Sequence, residues 1–182
     1  AASMHGAASP SLALLEARQH RDALKLLLRT EQAAMADFLV ALAATMYRRY
    51  RDRAAGISGQ MPGHGATIGE QFVAVIKGTA GAHVHKPVRN QVDGQLRVTV
   101  GDRLYAIDKD WSFGGIRAHG SCNGQPFVAQ LERHGMWYRV SHNGLVIDTQ
   151  LMSARAAELL RVMPFKAPAD MSKFLLSPMP GL

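Results

Sequence analysis

The sequence lacks the features that mark several large classes of protein. Cys122 is the single cysteine among 182 residues, which excludes an internal disulfide and a cysteine-based metal cluster and favours a reducing, cytoplasmic location. The longest apolar run, 33–47, contains Asp37 and falls short of the roughly 18 to 20 residues that span a bilayer. The N-terminus has neither the basic flank nor the compact apolar stretch of a signal peptide. We therefore expect a globular protein without a membrane-spanning segment.

Length and composition predict one domain, or at most two small ones. Apolar residues make up 47% and charged residues 19%, both close to globular averages, which disfavours a disordered or fibrous chain. Lys and Arg total 21 against 14 Asp and Glu, so the formal net charge is +7. That excess permits an acidic partner, nucleic acid included, without establishing one.

Two stretches near the N-terminus predict helices. Ser9 and Pro10 are typical of a helix start, and 12–29 has the amphipathic leucine spacing of a helix docked on another surface. The stretch 31–55 contains no Gly or Pro, and its section 33–47 is apolar nearly all round, which predicts a helix buried on every side. Its last turns hold cations that complement the helix dipole, namely Arg48, Arg49, Arg51 and Arg53.

A long loop is predicted after this helix. Residues 57–69 contain four glycines and one proline, which are unfavourable for regular structure. Ordered loops of about a dozen residues inside a compact domain are often functional. The segment is not a phosphate-binding loop, because it lacks the Gly-Lys-Ser/Thr ending and follows a helix instead of opening one.

An apolar period of two predicts an antiparallel meander after Gln71. Asn-Gly pairs at 123–124 and 143–144 are the strongest hairpin signals, because type I′ turns need a positive φ at both central residues. Gly101-Asp102 and 134–135 are the other predicted short connections. The predicted strands are 72–77, 83–89, 95–100, 103–108, 115–122, 125–133, 136–141 and 145–150.

The meander and the helix 31–55 each have an apolar surface that needs cover. Together they predict an α+β fold in which a long central helix is surrounded by an antiparallel up-and-down β-barrel of about eight strands. Ser153 then caps a short predicted helix over 153–160. Two prolines make 163–170 an extended connector, and 172–182 has the pattern of a further strand beginning.

Few residues are arranged for catalysis. His83 and His85 form a His-x-His pair that points both rings to one face of a strand, and a third ligand would complete a zinc site. The spacing identifies no third ligand, so surface histidines are the commoner explanation. Cys122 directly precedes a turn and has no local catalytic signature, which favours a half-buried thiol over a nucleophile. We predict no catalytic, cofactor-binding or metal-binding residues.

One group of residues favours a second function, a basic barrel that binds nucleic acid. Trp111 and Phe113, beside Lys109 and Arg117, have the composition of a base-stacking platform in single-strand binders. Half-exposed aromatics that cap the end of a barrel are the commoner explanation for such residues. A salt-dependent affinity for a generic oligonucleotide distinguishes the two.

Motifs in the last third of the sequence carry a resemblance to a known family. The motifs are Arg155–Leu159, Met163-Pro164, Lys166–Lys173 and Leu175–Gly181, the last containing Ser-Pro-Met-Pro-Gly. They resemble the alpha subunit of propionyl-CoA carboxylase, a biotin-dependent acyl-CoA carboxylase, where this run joins a linker domain to the biotinyl carrier domain. Segments 103–111, 57–61 and 68–70 extend the resemblance, which covers about 36–182.

The resemblance implies the BT domain, which links biotin carboxylase to biotin carrier and contacts the carboxyltransferase beta subunit. In that family a central helix is surrounded by an antiparallel barrel, and the loop after the helix reaches onto the beta subunit as a hook. The implied role is noncatalytic assembly within an ATP-dependent ligase, so that carboxybiotin passes between active sites. A flexible connector is the alternative interpretation of the loop. The implied interface residues are Ile57, Ser58, Gly59, Gln60, Met61, Pro62, Gly63, His64, Gly65 and Ile68.

The sequence also departs from the full-length family pattern. It has no ATP-grasp domain and no Ala-Met-Lys-Met biotin site, so biotin and ATP are expected in the full-length enzyme and no cofactor in this segment. Expected partners are the beta subunit and the biotin carboxylase and biotin carrier domains of the same chain. We expect 1–8 to be disordered or a cloning remnant, 9–30 a helical segment of unassigned origin, 31–163 the BT-type domain, and 164–182 a linker and the start of a truncated biotinyl carrier domain.

Overall fold

A single long helix opens the fold. The computed structural model describes residues 10–57, 61, 65, 67–78, 82–93 and 95–163. Helix α1, Pro10–Ala55, is continuous over 46 residues and joins the two predicted helical stretches. No glycine or further proline occurs in it, so the backbone hydrogen bonds run without a break. The predicted cap Ser9 and the predicted remnant 1–8 lie outside the described residues.

In the described part of the chain, eight antiparallel strands follow α1 and close into a barrel. Each strand pairs with its sequence neighbours, and β1 completes the circle by pairing with β8, Val73 opposite Met152. The predicted barrel is confirmed, and its closure leaves none of the described strands as a sheet edge. The strands are β1 Gln71–Lys77, β2 His83–Asp93, β3 Gln95–Val100, β4 Arg103–Asp110, β5 Arg117–Cys122, β6 Gln125–His134, β7 Trp137–His142 and β8 Leu145–Met152.

Two Asn-Gly turns explain why two of the hairpins are so short. Asn123 and Gly124 have φ values of 49° and 80°, and Asn143 and Gly144 have values of 46° and 78°. These positive values are the ones that a type I′ turn requires, as predicted. Asn123 also accepts a hydrogen bond from the Ala106 amide at 2.8 Å through Oδ1, which ties the turn to β4.

Two strand boundaries differ clearly from the predicted ones. β2 continues to Asp93, beyond its predicted end at residue 89, because residues 88–93 pair with residues 95–100 of β3. β5 begins at Arg117 instead of residue 115. The Gly115 amide donates to the Ser112 carbonyl at 2.9 Å, so a turn occupies the predicted start of the strand.

The connection between β6 and β7 also lies one residue later than predicted. Glycine at 135 has a φ of 64° and begins the two-residue turn with Met136. His134 therefore stays in β6, where it pairs with Trp137. A glycine at the first central position is typical of a type II′ turn, which decides the register here.

The hydrophobic core joins the middle of α1 to the barrel. Residues 37–46 are buried, which confirms the predicted burial for that part of 33–47. Every strand contributes at least one buried residue to the same cluster, and α1 contacts β2, β3, β4, β7 and β8. The Asn90 side chain of β2 donates to the Ala44 carbonyl at 3.2 Å, and Phe38 packs edge-on against Phe127 at 5.3 Å.

Asp37, the charge that interrupts the apolar run, is neutralised by two cations of the barrel. Its side chain is 12% exposed and pairs with the Lys86 amine. Arg103, at the start of β4, lies 3.5 Å from the other carboxylate oxygen, an ionic contact and not a hydrogen bond. A carboxylate this far from water is tolerated when such partners compensate it.

The first half of α1 lies outside this core. Residues 18–33 are exposed, and Leu24, Leu27 and Leu28 are each more than half exposed. The prediction of a helix is confirmed, but the described part of the chain does not bury its leucine face. Amphipathic spacing identifies an apolar face without specifying which molecule covers it. None of the described helices is long and apolar enough to cross a membrane.

A short helix, α2 Ala154–Val162, ends the described chain. The Ser153 hydroxyl accepts a hydrogen bond from the Ala156 amide at 3.3 Å, as predicted for the cap. The helix buries Ala157 and contacts β1. The predicted connector and further strand, 164–182, lie outside the described residues.

Candidate functional site

The predicted interface loop connects the end of α1 to the start of β1. Ile57 is 64% exposed and Met61 is 69% exposed, whereas Ile68 is half-buried and Gly65 is exposed. Large apolar side chains with this exposure, close together in sequence, are typical of a surface that meets a partner. The other predicted interface residues lie outside the described residues: Ser58, Gly59, Gln60, Pro62, Gly63 and His64.

A groove of about 970 Å³ opens beside the beginning of this loop. Ile57 lines this groove together with Tyr47 and Tyr50 of α1. Leu159 of α2 and Met163, which directly follows α2, line it from the other side. Apolar side chains from both helices therefore share the wall of the groove with Arg51, Arg53 and Arg133. Grooves of this size and character accommodate side chains of a binding partner.

The last turns of α1 place arginines over aromatic rings. The Arg49 guanidinium carbon is 5.3 Å from the centroid of the Trp111 ring and 5.2 Å from that of Phe113. Arg53 lies 4.9 Å from the Phe113 centroid. These are cation–π distances, and Arg49 also donates to the Trp111 carbonyl. The contacts hold the segment after β4 against α1, a role beyond the predicted interaction with the helix dipole.

The rings themselves form a packed cluster. Trp111 and Phe113 are 5.4 Å apart, and Tyr50 lies 5.9 Å and 5.1 Å from them. Trp111 is 4% exposed and donates its indole N–H to the Gly115 carbonyl at 2.5 Å. A ring this buried cannot stack on a base, which removes the main feature that favoured nucleic acid. Arg133, near the end of β6, lies 4.5 Å from the Tyr50 centroid.

Lys109 has the least compensated charge near these rings. It follows Tyr105 and Ile107 on the inward positions of β4, and its amine is buried without a hydrogen-bond partner among the described residues. Burial, and then the positive charge of Arg49, lower the pKa of Lys109 from 10.5 to about 7. An ammonium group in this setting gains strongly from a nearby anion.

Among the side chains that the structure describes, no carboxylate lies within ion-pair distance of the arginines on these rings or of Lys109. Asp52, on the same turn of α1, pairs with Arg48 at 2.8 Å instead. Asp110 lies 3.6 Å from His119. We call this set the basic cluster: Arg49, Arg53, Lys109 and Arg133.

The other candidates from the sequence are less developed. His83 and His85 lie on one face of β2, as predicted, and burial, Arg161 and His83 lower the pKa of His85. No group of three His, Cys, Asp or Glu side chains placed to hold a metal occurs in the part of the chain that the structure describes. Cys122 is half-buried, and burial raises the pKa of its thiol, which disfavours the thiolate that a nucleophile needs.

Sequence reasoning named Lys109 only as part of the nucleic-acid alternative, beside Trp111, and did not identify Arg133 as part of a site. A signal for Lys109 was present, because the alternation through Tyr105 and Ile107 puts a charge on the inward side of β4. No local pattern links Arg133 to Tyr50, which are far apart in sequence and meet through the barrel.

Comparison with known proteins shows the family of this chain. The family model for the propionyl-coenzyme A carboxylase BT domain matches residues 39–166, most of the chain and all of the basic cluster. The propionyl-CoA carboxylase alpha chain of Ruegeria pomeroyi is 31% identical over 150 residues, which cover 79% of this chain and 21% of that relative. The chain thus spans about a fifth of the length of this curated relative. It belongs to the propionyl-coenzyme A carboxylase BT domain family.

Proposed function

We propose that this chain is a noncatalytic assembly domain of a biotin-dependent acyl-CoA carboxylase alpha subunit of the propionyl-CoA type. It binds the carboxyltransferase beta subunit, and the carboxylase and transferase centres are thereby held within reach of one tethered biotin. Tethering raises the effective concentration of carboxybiotin at the second active site and requires no new chemistry from the domain.

The exposed apolar side chains of Ile57 and Met61 carry this proposal. An isolated domain gains nothing from leaving two large side chains in water, whereas a partner that covers them recovers their burial free energy. The groove beside Ile57 supplies a concave surface next to the loop, into which a side chain of the partner fits.

The architecture supports a role as a rigid support for that loop. We infer that the middle of α1 runs through the barrel, an arrangement supported by the burial of 37–46 and by contacts with five strands. A loop that leaves the end of such a helix is fixed at its origin. Biotin and ATP act in other parts of the full-length cytoplasmic enzyme, and this segment binds neither.

The test is the affinity of this chain for a cognate carboxyltransferase beta subunit, with co-elution on size exclusion as the first readout. Ile57→Asp and Met61→Asp are each expected to weaken binding by about 10-fold or more, because each places a charge in an apolar contact. Their thermal midpoints should stay unchanged, because both side chains are exposed. Changes at Pro62 or Gly63 are expected to act in the same way.

Leu104→Asp is the matched control. Leu104 is 53% exposed at the start of β4. Its neighbour Arg103 contacts Asp37. Asp37 lies about 18 Å along α1 from Arg49, so Leu104 is far from the end of α1 at which the loop begins. The control should bind like the unaltered chain. Equal binding by all three aspartate variants would remove the loop from the interface, and no binding by the folded, unaltered chain would remove the assembly function.

A further inference from the structure

We propose that the basic cluster docks a carboxylate-bearing surface of the carboxyltransferase beta subunit, beside the contact made by the loop. The identity of the partner rests on the proposed function. The chemistry of the contact rests on the four cations themselves, which are Arg49, Arg53, Lys109 and Arg133.

The first argument is the unbalanced charge. Three arginines lie over the rings of one aromatic cluster, the charge of Arg49 acts on Lys109, and no described carboxylate lies within ion-pair distance of the four cations. Among the residues outside the described ranges, Asp170 is the one acidic side chain. The side chains of Glu16 and Asp93 are likewise not described, so neutralisation of the cluster within this chain has few side-chain sources, and a partner surface has no such limit.

The second argument is preorganisation. Arg49 and Arg53 are held on the face of Phe113, and Arg133 on the face of Tyr50, so their guanidinium groups lose little further freedom on binding. A planar guanidinium that is already oriented presents its N–H groups to a carboxylate in the bidentate geometry. Arg53 and Arg133 are exposed and available for that contact.

The third argument is the unpartnered amine of Lys109. Its nitrogen is buried and has no hydrogen-bond acceptor among the described residues. A buried ammonium group beside Arg49 destabilises the isolated domain, and an incoming carboxylate relieves that cost. The interaction is strongest after the partner has excluded water from the cluster.

The cluster is continuous with the proposed loop contact. Arg53 and Arg133 line the same groove as Ile57. One partner surface can therefore cover an apolar centre and a charged margin at once, which is the usual anatomy of a protein interface.

The experiment measures binding of this chain to the cognate beta subunit at roughly 50 mM and 300 mM NaCl. Arg53→Glu and Arg133→Glu are each expected to weaken binding by about 10-fold or more at the lower salt and by much less at the higher. Lys109→Met should weaken it several-fold. Arg97→Glu, at an exposed arginine of β3, is the charge-matched control and should change affinity by less than about 2-fold.

The outcomes distinguish failure of the docking proposal from failure of the proposed function. Loss of affinity in the cluster variants alone supports docking, whereas equal binding by Arg53→Glu, Arg133→Glu and Arg97→Glu overturns it and leaves the proposed function standing. No binding by the unaltered chain overturns both.

Two further measurements identify a different occupant. A lower thermal midpoint in Asp170→Asn that disappears when Arg53→Glu is added assigns the cluster to the carboxylate of this chain and overturns the proposal. Salt-dependent binding of a generic oligonucleotide that is lost in the same cluster variants assigns it to nucleic acid and also overturns the proposal.

Discussion

Replacing Lys109 with methionine should stabilise the isolated domain. Methionine is similar in length and carries no charge, so the substitution keeps the packing of the stem on β4 and removes the buried amine. The difference between pKa values of 10.5 and about 7, at about 1.4 kcal/mol for each pKa unit, sets an upper limit of about 5 kcal/mol. Because Lys109 as a whole residue is only half-buried, solvent screening reduces this limit, and we expect a gain of about 2 to 4 kcal/mol near pH 7.

The gain should depend on pH in one direction. Because folding lowers the pKa of Lys109, the unfolded chain binds more protons between about pH 7 and pH 10.5. The stability of the unaltered chain therefore rises through this window relative to Lys109→Met. The destabilising effect is complete below about pH 7 and is lost above pH 10.5.

Urea unfolding of both proteins, followed by tryptophan fluorescence at several pH values across this window, measures the effect. Other groups titrate here too, but their contributions cancel in the difference between the variants. Lys77→Met, at an exposed position of β1, is the control and should show no such trend. A stability difference that is constant with pH, or a Lys109→Met variant that is less stable near pH 7, would refute the buried-amine argument.

The same substitution should separate stability from binding. Under the docking proposal, Lys109→Met is more stable than the unaltered chain and binds the beta subunit less tightly. A variant that gains stability and keeps full affinity would show that the amine has no part in the interface.

Two further substitutions test the fold. Asp37→Ala should lower the free energy of unfolding by about 3 kcal/mol, because it leaves two cations of the barrel without their carboxylate. Urea unfolding measures this loss, and a loss below about 1 kcal/mol would contradict the buried pair. Gly120→Ala should cost about 2 kcal/mol or more, because its Cβ would lie 2.0 Å from the Asp108 carbonyl oxygen and would push β4 and β5 apart. Gly69→Ala, whose Cβ meets nothing within 4 Å, is the control, and equal thermal midpoints for the two variants would contradict that close approach.

The barrel could be predicted because its signals are local. Period-two alternation and the two Asn-Gly turns define strands and their register within a few residues. The boundaries that differ, at the ends of β2 and β5, depend on long-range pairing and on a turn around Gly115. The all-round apolar character of 33–47 predicted burial correctly for 37–46, and Asp37 could not be assigned partners because Lys86 and Arg103 come from distant strands.

The interface loop stays a prediction. A family resemblance in the sequence drew attention to the loop that follows α1, and Ile57 and Met61 are exposed there. The basic cluster was not predicted as a unit, because the arginines of α1 have a sufficient explanation in the helix dipole.

The sequence alone determined the helix, the alternation of the strands and the glycine turns, because these depend on interactions between residues close along the chain. It also determined the family, through motifs that need no structure to be recognised. Only the tertiary structure decided that Arg49 and Arg53 lie on the rings of Trp111 and Phe113. It also decided that the Lys109 amine is buried with no partner among the described residues. The physical reason is that burial and the summed field of neighbouring charges arise when distant segments pack together, and no local pattern encodes them.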